Sequence, residues 1–461
     1  MKENALLNEL LNPGLHQGNP EFMIVTDQLS ERLVFTCNFI FRKVFQSPYQ
    51  IALSSDELKT HTGPIINYSG RSIPSSFRIP VEGLLFENGL RKNSTELVEV
   101  KPLLRAFVCG TANPGFQIEY DLFSMVFYFI SRYEEWQDHN KDEHGRFTVR
   151  NSILFRYGLQ QRPLIDLCVQ EFRSELEKHF QGLHLYRKKA GLLSTIDVDN
   201  VYAYRHKSFL RVAGAGFKDL LKGDFYGLGR RLAVLRGKIS DPFDIYDTVS
   251  EFCARHNIPL VFFFLMRSGT RYDRSLDPDS GAFQEIISRL NDYPLSIGLH
   301  PSYETLNDQE QLGKETRRMT EVLNAVPIFS RQHFLRFDVR RTPHMLSQKG
   351  FRADFSMGYS DVPGFRAGTS FVFNYYDFER ERETDFKLVP FCLMDGAYSI
   401  HTKRTQDEIL ATVDEMANDI ESSGGNFVSV YHERSFDDHL YPGFGTLYRE
   451  MHLRLKARFT S

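Results

Sequence analysis

The sequence is most informative at residues 192–200, which read Leu-Leu-Ser-Thr-Ile-Asp-Val-Asp-Asn. The apolar and β-branched residues at 192–196 predict a strand, and two carboxylates follow it directly. Side chains two positions apart in an extended chain point to the same face, so Asp197 and Asp199 are expected to lie close together. Two close carboxylates repel unless a cation or a proton lies between them, so the stretch indicates a metal site. The alternative is a turn in which Asp and Asn cap the next segment.

Strands and helices alternate along the chain after this stretch. Apolar runs predict strands over residues 259–266, 295–299, 328–329, 334–337, 371–376, 388–394 and 427–431. Periodicity and capping residues predict helices over residues 246–256, 283–291, 309–324 and 406–422. Repeated strand–helix units predict an α/β fold with a parallel sheet, either open or closed into a barrel. In such folds the functional side chains gather at the carboxyl ends of the strands.

The pattern before residue 191 is different. A predicted helix over residues 164–180 gives way to a basic stretch over residues 186–191, and this change predicts a domain boundary. We therefore expect an N-terminal α+β domain of residues 1–190 and a second domain of residues 191–461. In the first domain we predict two extended segments and one buried helix, over residues 33–41, 97–100 and 123–136 respectively. No group of residues in that domain indicates a reaction.

Composition excludes several classes of protein. The 461 residues carry 56 Lys and Arg against 59 Asp and Glu, and 41% of them are hydrophobic. A chain this apolar, with 40 Phe, is not disordered as a whole. The balanced charge argues against a nucleic-acid partner, which would require a basic excess. No run of 18 apolar residues occurs, so no membrane span is expected.

The cysteines and the start of the chain bear on the compartment. The five cysteines lie far apart, without a CxxC pair, at positions Cys37, Cys109, Cys168, Cys253 and Cys392. This spacing predicts buried, reduced thiols rather than a disulfide framework or a zinc ribbon. The first residues, MKENALLNELLNPG, lack the apolar segment of a secretory signal. A cytoplasmic protein is therefore expected.

Titratable side chains also follow other predicted strands. His300 comes directly after the strand at 295–299, and Glu304 lies one helical turn further on. Neutral imidazole together with carboxylate oxygen suits Zn²⁺ or a similar divalent ion. His432 follows the last strand, where an imidazole is a good general acid or base. Arg331 and His333 follow another strand, and the guanidinium can hold a catalytic carboxylate in its ionised form.

The order of these segments resembles the polysaccharide deacetylase family. Members of that family are metal-dependent carbohydrate esterases with a seven-stranded, NodB-like (β/α) barrel. The family's segments Thr-x-Asp-Asp, His-Ser-x-x-His, an Arg-containing segment and Leu-x-His correspond here to residues 195–199, 300–304, Arg331 and 430–432. The segments TIDVDN, GLHPSY, SRQHFL, GYSDVPGFRAG, VYHE, SRYEEW and DEHGRF are similar to a bacterial subgroup whose barrel follows an uncharacterised N-terminal domain.

The resemblance implies a divalent metal ion, with Zn²⁺ as the expected ion. Asp199 and His300 would be two of its ligands. Glu304 stands where the family has its second metal-binding histidine, so the third ligand is either Glu304 or His333. A further departure is Val198, which separates two aspartates that are adjacent in the family.

The resemblance also implies a reaction, the removal of acetyl groups from N-acetylated or O-acetylated sugars. Asp197 would be the general base, Arg331 would orient it, and His432 would protonate the leaving group. Tyr303 and Arg366, the latter in the loop at 363–368, would shape a groove for the carbohydrate substrate.

Two alternatives remain open from the sequence. The chain could be a member that binds a saccharide or a partner without catalysis, as the altered second motif suggests. It could also be a phosphatase with Asp197 as nucleophile, since a strand followed by DxDxV fits such enzymes. That alternative needs a further acidic group, for which Asp437 and Asp438 are available, and it leaves His300 and His432 without a role.

Overall fold

A computed structural model describes residues 5–91, 95–100, 103–108, 115–137, 139–207, 209–399 and 404–460. The helices are α1 (Ala5–Leu11), α2 (Glu31–Cys37), α3 (Leu122–Ile130), α4 (Tyr133–Trp136), α5 (Ile153–Arg156), α6 (Leu164–His179), α7 (Phe209–Leu221), α8 (Phe225–Leu235), α9 (Tyr246–Arg255), α10 (Gly281–Leu290), α11 (Gln309–Leu323), α12 (Thr342–Gln348), α13 (Asp395–Ser399), α14 (Gln406–Ser423) and α15 (Phe444–Thr460). The strands are β1 (Phe22–Thr26), β2 (Tyr49–Ala52), β3 (Ile65–Tyr68), β4 (Phe77–Arg78), β5 (Val98–Val100), β6 (Leu103–Arg105), β7 (Gly191–Val198), β8 (Leu260–Leu265), β9 (Ser296–His300), β10 (Phe329–Ser330), β11 (Ala353–Met357), β12 (Phe373–Asp377), β13 (Arg382–Pro390), β14 (Leu393–Met394) and β15 (Asn426–His432).

The larger sheet confirms the α/β class. Its nine strands are ordered β12-β13-β11-β10-β9-β8-β7-β15-β14, and all neighbours are parallel except β12 and β13. The sheet curls into a half-barrel. Among the described residues no hydrogen-bonded pair joins the edge strands β12 and β14, so the closed seven-stranded barrel is not confirmed.

Strand register brings the functional side chains to one rim of this sheet. Asp197 of β7 lies opposite His432 of β15 on one side and Phe263 of β8 on the other. The next strand along, β9, ends at His300, which pairs with Leu265 at the end of β8. Because these strands are parallel, their carboxyl ends meet at the same edge, as the rule for α/β folds predicts.

The N-terminal part contains a second sheet that the sequence did not reveal. Its four strands are parallel and ordered β2-β1-β3-β4. One apolar core extends from Phe22 through this part and the larger sheet to Phe459. Buried ion pairs also cross between the two parts, among them Arg366 with Glu135. The boundary near residue 190 therefore stays a prediction about chain organisation.

Several local predictions are wrong for identifiable reasons. Residues 33–41 are helical, because Ser30 caps α2 and a π-helix over Asn38–Val44 continues it. A helix that is apolar and buried on nearly every side has the same composition as a buried strand, so composition alone does not distinguish the two. Residues 334–337 do not form a strand, since Phe334 and Leu335 adopt left-handed φ values of 59° and 52°. The helix predicted over 123–136 is interrupted at Arg132, whose φ is 58°.

Other local predictions are confirmed. The strand predicted at 97–100 is observed as β5, and the helix predicted at 406–422 is observed as α14. Four cysteines are buried free thiols, as predicted, while Cys109 lies outside the described residues. No helix in the described ranges combines the length and the apolar character that a membrane crossing requires.

Candidate active site

Three side chains at the rim converge on one point. Asp199 follows β7, His300 ends β9 and His333 follows β10, and their potential ligand atoms all lie within 4.8 Å of one another. Oδ1 of Asp199 is 3.4 Å from Nε2 of each histidine. This oxygen is buried and has no hydrogen-bond partner among the described residues. A buried oxygen that faces two imidazole nitrogens suits a divalent cation.

The other ring nitrogen of each histidine is occupied. Nδ1 of His300 contacts the backbone carbonyl of Arg331, and Nδ1 of His333 lies 2.9 Å from Oδ1 of Asp273. An Nδ1–H that donates to an oxygen leaves Nε2 as the metal-binding atom. Both histidines therefore present Nε2 to Asp199.

Asp199 is held as a carboxylate. Burial alone would raise its pKa, but the charges of His333 and Arg434 hold the pKa well below its usual range. Arg434 contacts Oδ2 at 2.5 Å, so Oδ1 is the oxygen left for a cation. Glu433 fixes the backbone here, since its carboxylate accepts hydrogen bonds from the amides of Asp199 and Asn200 at 3.1 Å each.

Asp197 forms a second charged pair beside this group. Nη1 of Arg331 is 3.3 Å from both carboxylate oxygens, and Nη2 donates to Oγ1 of Thr195 at 3.0 Å. The guanidinium lies 5.1 Å from the ring centroids of both Phe263 and Phe391. The two phenyl rings pack against the guanidinium and restrict its position. Arg331 therefore places a fixed positive charge beside Asp197.

His432 forms a third pair, with Asp395. Nδ1 of His432 is 2.8 Å from Oδ1 of Asp395, and the backbone amide of His432 donates to Oδ2 at 2.7 Å. Burial and Arg434 lower the pKa of His432, but Asp395 outweighs them and the pKa rises to about 9. The imidazole is therefore protonated at neutral pH and can serve as an acid. Sequence reasoning missed Asp395, although it directly follows β14. It therefore obeys the rule that functional side chains of α/β folds gather at the carboxyl ends of the strands, here called the strand-end rule.

All three groups open into one cavity of about 590 Å³. Its wall includes Glu143, His144 and Arg146 from the N-terminal part, so that part contributes to the site. Arg146 reaches across to donate to the backbone carbonyl of Phe334 at 2.9 Å. The segment that holds these residues carried no recognisable catalytic spacing in the sequence.

Two predicted site residues lie apart from the Asp199–His300–His333 group. Glu304 is exposed and pairs with Arg267 at 2.8 Å, and it is not part of the Asp–His–His group. Arg366 is buried and pairs with Glu135 at 2.5 Å, and it does not line the cavity. The role of Arg366 in substrate binding stays a prediction.

Neither Tyr303 nor Asp437 is among the residues that line the cavity. Tyr303 stacks on Tyr272, with ring centroids 3.9 Å apart, and its hydroxyl is 3.0 Å from Nδ1 of His144. Tyr272 and His144, not Tyr303, line the cavity. Asp437, one of the two carboxylates available to the phosphatase alternative, pairs with Arg230 at 2.7 Å.

Comparisons with known proteins give one family match and several structural likenesses. The profile of a family of unknown function, DUF7033, matches residues 22–181. A search of curated proteins gives no match. A crystal structure from Mycobacterium smegmatis, described as a polysaccharide deacetylase, is 18% identical, with a TM-score of 0.37, over 59% of this chain and 85% of the other.

Two further structures show a similar extent of overlap. Puue allantoinase is 13% identical, with a TM-score of 0.36, over 60% of this chain and 87% of the other. A family 4 carbohydrate esterase from Streptomyces lividans, solved in complex with acetate, is 10% identical, with a TM-score of 0.26, over 57% and 88%. The function of this chain therefore has to be argued from its own residues.

Proposed function

We propose that this protein is a metal-dependent hydrolase that removes acetyl groups from acetylated sugars. The observation that carries the proposal is the convergence of three groups on one cavity. These are the Asp199–His300–His333 cluster, the Asp197–Arg331 pair and the His432–Asp395 pair. A metal site beside one carboxylate base and one histidine acid is the set of groups that amide or ester hydrolysis needs.

Asp199, His300 and His333 would hold the cation. Two imidazole nitrogens and one carboxylate oxygen are a ligand set that Zn²⁺ accepts, with a coordination position left for substrate or water. When bound, the ion would polarise the acetyl carbonyl and lower the pKa of water. Burial alone would lower the pKa of His300, but the charges of Asp197 and Asp199 outweigh burial and raise the pKa. The position between the three ligands therefore favours a positive charge.

Asp197 would act as the general base. Its carboxylate lines the cavity beside Asp199 and pairs with the buried guanidinium of Arg331 at 3.3 Å. A carboxylate in this position accepts a proton from water as the water attacks the acetyl carbon. Arg331 would be a positioning residue, since it contacts Asp197 and Thr195 and does not line the cavity.

His432 would act as the general acid. Its Nδ1 is held by Asp395, which leaves Nε2 facing the cavity it lines. The protonated ring donates to the sugar nitrogen or oxygen as the bond to the acetyl carbon breaks. One water is consumed, and acetate and the free amine or hydroxyl are released.

The test combines metal analysis with an acetate assay. Purified protein is expected to contain a stoichiometric divalent metal and to release acetate from N-acetylated sugars or oligosaccharides. Asp199→Ala is expected to lose the metal, whereas Asp197→Asn is expected to keep the metal and lose turnover. Glu304→Gln is the matched control and is expected to keep both. Full metal retention in Asp199→Ala would refute the ligand assignment, and a metal-free protein that binds glycan without releasing acetate would favour the non-catalytic alternative.

A further inference from the structure

A helical hairpin inserted between Asp199 and α9 carries the four most exposed large apolar side chains in the described parts of the chain. Helices α7 and α8 pack side by side and connect β7 to α9. Of the twenty large apolar side chains exposed in the described parts of the chain, eight belong to this segment: Phe217, Leu220, Leu221, Phe225, Tyr226, Leu232, Leu235 and Ile239. Single exposed apolar residues are ordinary, but a concentration of this kind marks an interaction surface.

The most exposed of these side chains lie around the tip of the hairpin. Leu221, Phe225 and Tyr226 are 72%, 70% and 69% exposed, more than any other large apolar side chain described. They flank the turn at residues 222–224. On α7, Phe217 precedes Leu221 by four residues, so both lie on the same helix face. The hairpin therefore presents an apolar tip and one apolar face to its surroundings.

The same segment is strongly basic. Residues 205–239 contain nine Lys and Arg against two Asp, although the whole chain has a net charge of −3. Both aspartates are engaged within the hairpin, since Asp219 pairs with Arg231 and Asp224 caps α8. Four exposed cations form no ion pair with any described carboxylate: Lys218, Lys222, Arg236 and Lys238.

We propose that this hairpin docks on an anionic lipid bilayer. Exposed apolar side chains flanked by lysine and arginine are the chemistry of interfacial helices, whose apolar residues enter the boundary between headgroups and acyl chains. These four cations then contact lipid phosphates, since lysine and arginine are attracted to an anionic membrane surface. Charge complementarity selects an anionic membrane as the occupant over a second copy of this acidic chain.

The hairpin is attached at the rim that carries the candidate active site. It begins ten residues after Asp199, and Arg230 of α8 pairs with Asp437, which follows His432 by five residues. A second cavity of about 210 Å³ includes Arg205 at the base of the hairpin and shares Asn200 and Arg274 with the site cavity. If the proposed function holds, docking brings the site to an acetylated sugar carried on a membrane lipid.

The experiment is co-sedimentation of the full-length protein with vesicles. The vesicles are either phosphatidylcholine alone or an equal mixture of phosphatidylcholine and phosphatidylglycerol. We expect binding to the anionic vesicles, weaker at high salt, and little binding to the neutral ones. The double variant Leu221→Ser/Phe225→Ser is expected to lower the partition coefficient at least about tenfold, since both substitutions remove apolar surface that would enter the bilayer. Lys218→Glu/Lys222→Glu is expected to lower it in the same direction.

Matched controls separate docking from folding and from catalysis. Leu15→Ser and Val326→Ser remove apolar side chains of similar type, 52% and 54% exposed elsewhere on the surface, and are expected to bind like wild type. Acetate release from a soluble sugar is expected to be the same in the hairpin variants and wild type. Wild type that stays in the supernatant with both vesicles would overturn docking, as would hairpin variants that bind unchanged. Light scattering that shows a dimer abolished by the hairpin variants, without vesicle binding, would assign the surface to a second copy.

Discussion

Oδ1 of Asp273 lies 2.9 Å from Nδ1 of His333, although the two residues are sixty positions apart. Asp273 is fully buried and also accepts a hydrogen bond from the backbone amide of Tyr303 at 2.9 Å. Burial raises the pKa of Asp273, but the hydrogen bonds from His333, Tyr303 and Thr270 outweigh it and lower the pKa. An ionised carboxylate therefore fixes both the ring orientation and the tautomer of His333.

The first prediction concerns this carboxylate. Asp273→Asn is expected to weaken metal binding about 10-fold to 100-fold, which is the usual effect of losing a carboxylate behind a histidine ligand. The measurement is a competition titration with a chelator of known affinity. Asp292→Asn, at an exposed position that does not line the cavity, is the matched control. Unchanged metal affinity in Asp273→Asn would show that the charge behind His333 does not contribute to metal binding.

The strand-end rule found much of this site from sequence. It singled out Asp197, Asp199, His300 and His432 because each directly follows or ends an apolar run, and parallel pairing brings such ends to one edge. It also directed attention to Arg331 and His333 after the short strand β10. These groups lie in the same cavity or hold its lining residues.

The rule could not find Asp273 or the N-terminal wall of the cavity. Asp273 lies in a loop eight residues after β8 ends, and nothing local distinguishes it from other loop aspartates. Glu143 and Arg146 reach the site only because the N-terminal part packs across the rim, which is a long-range relation. The strand predicted over residues 334–337 is absent because Phe334 and Leu335 adopt left-handed backbone conformations. Residues of these types rarely adopt that conformation, so the sequence gives no indication of it.

The second prediction concerns the pH dependence of turnover. Asp395 raises the pKa of His432 to about 9, so activity that needs the protonated ring is retained below that pH and lost as the pH rises through it. In Asp395→Asn the charge that stabilises the imidazolium is absent, and the alkaline limb of the kcat profile is expected to move to lower pH. The measurement is acetate release against pH for both proteins. Identical alkaline limbs would exclude His432 as the acid.

The third prediction distinguishes two roles for Arg366. Burial raises the pKa of Glu135, but the charges of Arg366 and Arg132 outweigh it and hold the pKa at about 2. Arg366→Met leaves Glu135 with Arg132, which also pairs with Glu134, so the charge of Glu135 is only partly compensated. The substitution is therefore expected to cost about 3 kcal/mol in the free energy of unfolding, the low end for a broken buried pair. Urea denaturation measures this cost, and the KM of the folded fraction is expected to stay unchanged. A raised KM with unchanged stability would restore Arg366 to the substrate groove.

The fourth prediction concerns stability in acid. His452 of α15 is buried, with Nδ1 2.7 Å from the carbonyl of Tyr448 and Nε2 2.9 Å from Oγ of Ser429. Burial lowers its pKa from 6.5 to about 4. Between these pH values the unfolded chain binds a proton at His452 that the folded chain does not bind. The free energy of unfolding therefore falls as the pH drops from 6.5 to 4, and His452 contributes up to roughly 3 kcal/mol of this fall.

Urea denaturation at a series of pH values tests this contribution. His452→Gln keeps a hydrogen-bonding side chain but cannot be protonated, so its stability at neutral pH is expected to be lower than that of wild type while its loss between pH 6.5 and 4 is smaller. His184→Gln, at an exposed position, is expected to follow the wild-type curve. Equal acid loss in His452→Gln and wild type would show that other groups govern unfolding in this range. Because α15 packs against β7 through Tyr448, whose hydroxyl is 2.7 Å from Oγ of Ser194, acid unfolding that begins at His452 is expected to release the strand that leads to Asp197.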